Sequence, residues 1–129
     1  MKNILFVCIE NSCRSQMAEA FANMYGIDII KPYSSGSRPS GRVNPKAVES
    51  MQAIGYDLSV HQSKGLEDIP DIEYDLVITM GCGDACPNIR ARQRQDWEIP
   101  DPKQMGPKEF AAVRDLIRER VERLIAAMQ

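Results

Sequence analysis

Asn3-Ile4-Leu5-Phe6-Val7-Cys8-Ile9-Glu10-Asn11-Ser12-Cys13-Arg14-Ser15 is the stretch that decides the fold. Asn3 to Val7 is a short apolar, β-prone run of the kind buried in a parallel sheet. From Ser15 to Tyr25, Met17, Phe21, Met24 and Tyr25 recur at helical spacing, and Gly26 stops the pattern. Cys8 to Ser15 therefore connects the carboxyl end of a strand to the amino end of a helix.

Working outward, the alternation continues. Ile27 to Tyr33 reads as a second strand running into the turn-rich stretch Ser34 to Arg42. A second helix is expected from Pro45 to Ile54, with Asn44 as N-cap and Gly55 just past its end. Asp75 to Met80 is the clearest later strand, and Trp97-Glu98-Ile99 reads as a short last one. A final helix, Lys108 to Met128, carries an apolar stripe of Phe110, Val113, Ile117, Val121, Leu124 and Met128. Strands alternating with helices imply an α/β fold: a three-layer, doubly wound, four-stranded parallel sheet. One domain over residues 1–129 is expected, since no linker, repeat or low-complexity segment divides the chain. Ligands of such sheets bind beyond the carboxyl ends of the strands. Cys8, Cys82 and Asp101 each follow an expected strand and so belong at that edge.

The balance of charges narrows the partners. A net charge of −2 draws the protein neither to nucleic acid nor to an anionic membrane. Arg114, Arg118, Arg120 and Arg123 alternate with Asp115, Glu119 and Glu122, as on a solvated helix face. Arg90, Arg92 and Arg94 form a second basic group. No apolar run approaches a bilayer span, and the apolar stretch after Lys2 is too short for a signal-peptide core. A cytoplasmic protein is expected, a monomer by default, with its thiols kept reduced. Its four cysteines, Cys8, Cys13, Cys82 and Cys86, then need chemistry or metal as their reason.

The first loop supplies chemistry. A helix N-terminus offers unpaired backbone N–H groups and partial positive charge, which together hold a tetrahedral oxyanion. Arg14, six residues after Cys8, can fold back and grip two anion oxygens in a planar fork. The same field favours a thiolate over a thiol, making Cys8 a nucleophile beneath a bound anion. The oxyanion-binding loop thus comprises Ile9, Glu10, Asn11, Ser12, Cys13, Arg14 and Ser15 beyond Cys8. Within it, Asn11 and Ser12 are expected to hold the backbone through side-chain hydrogen bonds, and Ser15 to cap the helix while touching Cys8.

Later in the chain, Gly81-Cys82-Gly83-Asp84-Ala85-Cys86-Pro87 is a glycine- and proline-marked turn carrying two thiols within reach of one another. Three readings stand at this point: a redox pair, ordinary buried cysteines, or a four-thiolate zinc site with Cys8 and Cys13, whose spacings also suit zinc. Zinc would leave Arg14 unexplained, so no metal is expected. Asp101, in Ile99-Pro100-Asp101-Pro102, is either a general acid for a departing oxygen or a turn-forming aspartate. His61, the one histidine, reads as solvated or structural, and Trp97 as core or as a cover for the pocket.

The run Cys-x-x-Asn-Ser-Cys-Arg-Ser-Gln-Met-Ala-Glu resembles the active-site loop of the low-molecular-weight tyrosine phosphatases, and still more that of the thioredoxin-recycled arsenate reductases built on the same fold. The resemblance covers essentially the whole chain, including Asn44-Pro45 and the late Asp-Pro. It departs at Glu10, where family members often have glycine, and in the short spacing between Cys82 and Cys86. It implies a redox relay. Cys8 attacks arsenate, Cys82 attacks Cys8 to release arsenite, and Cys86 takes over to leave a Cys82–Cys86 disulfide for thioredoxin, or glutaredoxin, to reduce. No flavin or nicotinamide motif is present, so the two electrons come from thiols, with no tightly bound cofactor. The alternative is a phosphate-monoester hydrolase using Cys8, Arg14 and Asp101 with water in place of Cys82; a non-catalytic oxyanion sensor is a third reading. In some relatives an acidic residue near position 64 helps hold potassium beside the loop. Here the Lys64 ammonium is expected to replace that ion, bonding toward Asn11 or Glu19.

Overall fold

Lys2–Cys8 forms the central strand, β1, and its side chains alternate between two buried faces as the two-residue period of a strand requires. Ile4 and Phe6 face one way, Leu5 and Val7 the other. The computed structural model describes residues 1–81 and 89–129. In it β2 (Ile30–Gly36), β3 (Tyr74–Thr79) and β4 (Ala91–Asp96) join β1 in one parallel sheet of order β2-β1-β3-β4. The chain runs first to one side of β1 and then to the other, so the switch point lies where β1 and β3 end. The expected α/β class and four-stranded parallel sheet are the ones found.

Helices α1 (Arg14–Tyr25), α2 (Pro45–Gln52) and α3 (Pro107–Ala127) share the core cluster of Ile4 and Phe6, with Met17, Phe21, Met51, Phe110, Ile117 and Val121 packed together. The opposite face, around Leu5, Val7, Tyr74 and Val77, is closed by Tyr33, Leu66, Ile69 and Ile72 rather than by a long helix. Asn44 caps α2 by accepting from the Lys46 N–H at 2.8 Å. On the outer face of α3, Arg118 pairs with Glu122 at 2.9 Å, the solvated charge pattern expected there. Among the described residues no helix is long and apolar enough to cross a membrane.

Two strands differ from the expectation. β2 begins at Ile30, not Ile27, because the N–H groups of Ile29 and Ile30 both close a turn onto the Gly26 carbonyl and leave Ile27 exposed. It then continues through Ser34, Ser35 and Gly36, which read as turn in sequence but pair with Phe6, Val7 and Cys8. Trp97-Glu98-Ile99 is not the last strand; Ala91–Asp96, just before it, is. Among the described residues that strand pairs only with β3, so its mostly exposed residues (Ala-Arg-Gln-Arg-Gln-Asp) carry no apolar alternation to read. Arg92 and Arg90 are used there in exposed ion pairs with Glu73 and Asp71. Trp97 is core, buried with its ring 6.0 Å from that of Phe6.

Candidate active site: an anion loop at the end of β1

Between β1 and α1 the backbone carbonyls turn outward, and each finds a donor outside the loop. Ile9 O accepts from Arg38 N at 2.8 Å, Glu10 O from Ser40 N at 3.0 Å and Ser63 Oγ at 2.9 Å, Asn11 O from Gln16 Nε2 at 3.1 Å, and Ser12 O from Asn44 N at 3.0 Å. In a trans peptide the N–H points opposite to the carbonyl, so the N–H groups of residues 10–13 face the interior. That concave set of donors, at the positive end of α1, is built for an anion. Gly36 makes room for it, since a Cβ there would lie 2.5 Å from the Ile9 carbonyl oxygen and 2.8 Å from Asn11 N.

Cys8 sits at the floor, 2 % exposed, with its Sγ 2.8 Å from Ser15 Oγ. Neighbours fix the direction of that hydrogen bond. The Lys64 N–H can only donate, and its acceptor at 2.7 Å is Asn11 Oδ1. Asn11 Nδ2 therefore faces Ser15 Oγ, at 2.8 Å, and donates to it. Ser15 is left with its own proton for the sulfur. Asn11 itself holds φ +50°, a left-handed conformation that asparagine tolerates better than most residues, and is fully buried. Ser15 touches Cys8 as expected but does not cap α1, whose N-cap is Cys13 with no side-chain cap. Ser12 Oγ points to Cys13 Sγ rather than to backbone.

Behind Asn11 lies a chain that the sequence did not reveal. Gln16 Nε2 is ringed by acceptors: Asn11 Oδ1 at 2.7 Å, Asn11 O at 3.1 Å and Gln62 O at 2.8 Å. Gln16 Oε1 must then accept from His61 Nδ1 at 2.9 Å, which leaves His61 Nε2 to accept from the Tyr56 hydroxyl at 2.6 Å. His61 is thus structural, held neutral in one tautomer. Burial lowers its pKa; Glu19 opposes this shift and Lys64 adds to it.

Arg14 is 6 % exposed and reaches from α1 to the far wall, donating Nη1 to Ile99 O at 3.1 Å with Nη2 3.7 Å from Asp101 Oδ2. Asp101 forms the turn and also lies at the mouth of the anion loop. Its Oδ1 accepts from Lys103 N at 3.1 Å, capping the short 3-10 turn Pro102–Gln104, while Oδ2 faces Arg14. Gly81, at φ +80°, passes so close that a Cβ would lie 2.7 Å from Arg14 Nη1. Cys8, Ile9, Glu10, Ser12, Cys13, Arg14 and Asp101 line the resulting cavity of ≈ 20 Å³. Larger grooves lie along α2, and none has Cys8 in its lining.

Cys13 is buried, and desolvation pushes its thiol up to about 11, with Asp101 and Cys8 also raising it and Ser12 and Arg14 lowering it. No cluster of three potential metal ligands occurs among the described residues, and the four-thiolate reading also needs two cysteines outside them. Lys64 Nζ lies 3.7 Å from Glu19 Oε1, which also accepts from Ser34 Oγ; it is the backbone N–H of Lys64, not the ammonium, that meets Asn11. Cys82 and Cys86 lie outside the described residues.

A family model described as low molecular weight phosphotyrosine protein phosphatase matches residues 3–129. The chain belongs to that family. Within it, the glutaredoxin arsenate reductase of Synechocystis sp. is 42% identical over 129 residues, with 98% of each chain covered. A solved structure described as an arsenate reductase in the phosphate binding state superposes with a TM-score of 0.90 at 40% identity, covering both chains in full. The thioredoxin-dependent arsenate reductase of Corynebacterium glutamicum gives a TM-score of 0.82 at 30% identity, covering all of this chain and 62% of that one.

Proposed function

We infer that the chain reduces arsenate to arsenite with Cys8 as nucleophile and Cys82 and Cys86 as a relay. One observation carries the reading. Cys8 lies on the floor of an anion loop, and the chain leaving β3 passes Arg14 at Gly81 immediately before a segment holding two more cysteines. A phosphate-monoester hydrolase has no use for that pair. Family members of closely matching length that are named arsenate reductases support the same choice.

The chemistry balances. Arsenate binds on the inward N–H groups and the Arg14 fork, and the Cys8 thiolate, stabilised by the Ser15 hydroxyl, attacks arsenic. Asp101 hands a proton to the departing oxygen, so that water leaves and a Cys8 S–As bond forms. Cys82 thiolate attacks the Cys8 sulfur; the S–As electron pair passes to arsenic, which leaves as arsenite, and a Cys8–Cys82 disulfide remains. Cys86 then attacks Cys82, which frees Cys8 and stores the oxidation as a Cys82–Cys86 disulfide. An external dithiol, thioredoxin or glutaredoxin, reduces it. Such a relay suits a reducing compartment, and we place the protein in the cytoplasm as a monomer. No tightly bound cofactor takes part. The Lys64 ammonium beside Glu19 stands in for a potassium ion beside the loop, so added potassium leaves the rate unchanged; strong activation would contradict that assignment.

The test is NADPH consumption coupled through thioredoxin and thioredoxin reductase, and separately through glutaredoxin, glutathione and glutathione reductase. Arsenate-dependent turnover that is lost in Cys82→Ser and Cys86→Ser is expected. No arsenate-dependent consumption, with aryl phosphate turnover indifferent to both substitutions, would make the protein a hydrolase.

A further inference from the structure

Glu10 stands where an anion loop has least use for a carboxylate, in the lining of the cavity that holds Cys8 and Arg14. Its charge is met from across the opening. Lys103 Nζ bonds both carboxylate oxygens, at 2.9 and 2.8 Å. Lys103 belongs to the turn that carries Asp101, and that turn is anchored on its far side by Lys46 Nζ, which donates to the carbonyls of Lys103 and Met105 at 3.1 Å each. The ion pair therefore joins two walls of one cavity: the anion loop and the Asp101 turn. Glu10 in turn raises the pKa of the Lys103 ammonium above its ordinary value, by hydrogen bonding first and by its charge second.

We propose that the Glu10–Lys103 bridge is the specificity latch of this site, closing it to phosphate esters with a bulky group while cancelling the charge that would otherwise repel a free oxyanion. The proposal rests on the oxyanion reading of the loop and adds a preference between two substrate classes. A free tetrahedral anion needs only the loop donors and Arg14. An aryl ester must also thread its ring between the loop and the Asp101 turn, where the bridge stands. The pair works in both senses only when both members are present: Lys103 alone attracts anions, and Glu10 alone repels them.

The test uses the full-length protein and inorganic phosphate, read as protection of Cys8 from iodoacetamide by peptide-resolved mass spectrometry. Lys103→Met is expected to weaken phosphate binding and Glu10→Gln to strengthen it, each by about fivefold, the effect of one unpaired charge a few ångströms away in a water-screened site. The Glu10→Lys/Lys103→Glu swap falls between them. Opposite signs exclude mere damage to the fold, which weakens binding in both. Removing the latch with Glu10→Gly/Lys103→Ala raises turnover of para-nitrophenyl phosphate relative to arsenate by about tenfold, a modest steric gain on the scale of one well-placed contact. Single variants that shift phosphate binding in the same direction, or a double variant with an unchanged substrate ratio, overturn the latch. Absence of phosphate protection in the wild type would overturn the oxyanion reading itself, and the latch with it.

Discussion

The two shoulders of the anion loop are built by opposite means. On the inner shoulder, Asn11 is fully buried and every polar atom of its side chain is engaged, by Lys64, Gln16 and Ser15. On the outer shoulder, Glu10 and Lys103 meet in water with side chains 35 % and 44 % exposed. A buried network is costly to leave half made, because each orphaned donor or acceptor carries its full desolvation penalty. An exposed ion pair contributes little stability. The contrast teaches a division of labour. The inner shoulder holds the loop in shape and aims the Ser15 proton at Cys8, while the outer shoulder is free to govern what enters.

Breaking this comparison starts with Asp101, between the two. Asp101→Asn keeps an acceptor for the Lys103 N–H but removes the acid, and should lower single-turnover kcat by about 100-fold or more with little change in phosphate affinity. Equal loss of binding and rate would make it a structural residue only. On the inner shoulder, Asn11→Ala leaves three partners unanswered and puts alanine at φ +50°, which should cost about 3–4 kcal/mol in urea unfolding. Asn11→Gly relieves the backbone and should recover about 1 kcal/mol of that without restoring activity. Should glycine restore both, the hydrogen bonds have no role.

His61 sharpens the same side through pH. Its folded-state pKa lies below the ordinary value, so the folded protein binds fewer protons than the unfolded chain in acid. Stability should be level above about pH 6.5 and fall as pH drops below it. Thermal midpoints between pH 7 and 5 should fall less in His61→Gln, and identical pH slopes would contradict the buried neutral tautomer. Cys13 works in the other direction. With its thiol raised to about 11, its contribution to stability is complete below pH 9 and is lost as pH climbs toward 11. At neutral pH, Cys13 should stay unlabelled by iodoacetamide. The smallest effect belongs to the outer shoulder: Lys103→Met and Glu10→Gln should leave the thermal midpoint almost unchanged while moving phosphate binding in opposite directions.

How much of this was legible follows the same line between buried apolar and buried polar. β1 and β3 announced themselves as short continuous apolar runs, and α1 and α3 because their apolar residues repeat at helical spacing. β4 did not, since an edge strand of charged residues has no buried face to mark it. The end of β2 failed for a related reason: Ser34, Ser35 and Gly36 look like a turn, yet they pair with β1, and Gly36 is where the anion loop leaves no room for a Cβ. In the site, Cys8 and Arg14 were readable from their spacing in a strand-to-helix loop and Asp101 from its Asp-Pro pair, though the strand expected before it is not one, and the structure brings all three to one cavity. Gln16 was not, because its partner His61 comes from a distant segment and nothing in a linear pattern joins residue 16 to residue 61; Tyr56 matters only through that same histidine. The pairing of Glu10 with Lys103, far apart in sequence, was equally hidden.

The most direct test is a single turnover of Cys86→Ser with one equivalent of arsenate and no external reductant. The account predicts one equivalent of arsenite and a protein lighter by two hydrogens, with peptide mapping placing the new disulfide between Cys8 and Cys82. Arsenite-free incubation with both thiols still titratable, alongside steady hydrolysis of an aryl phosphate by the same sample, would contradict it.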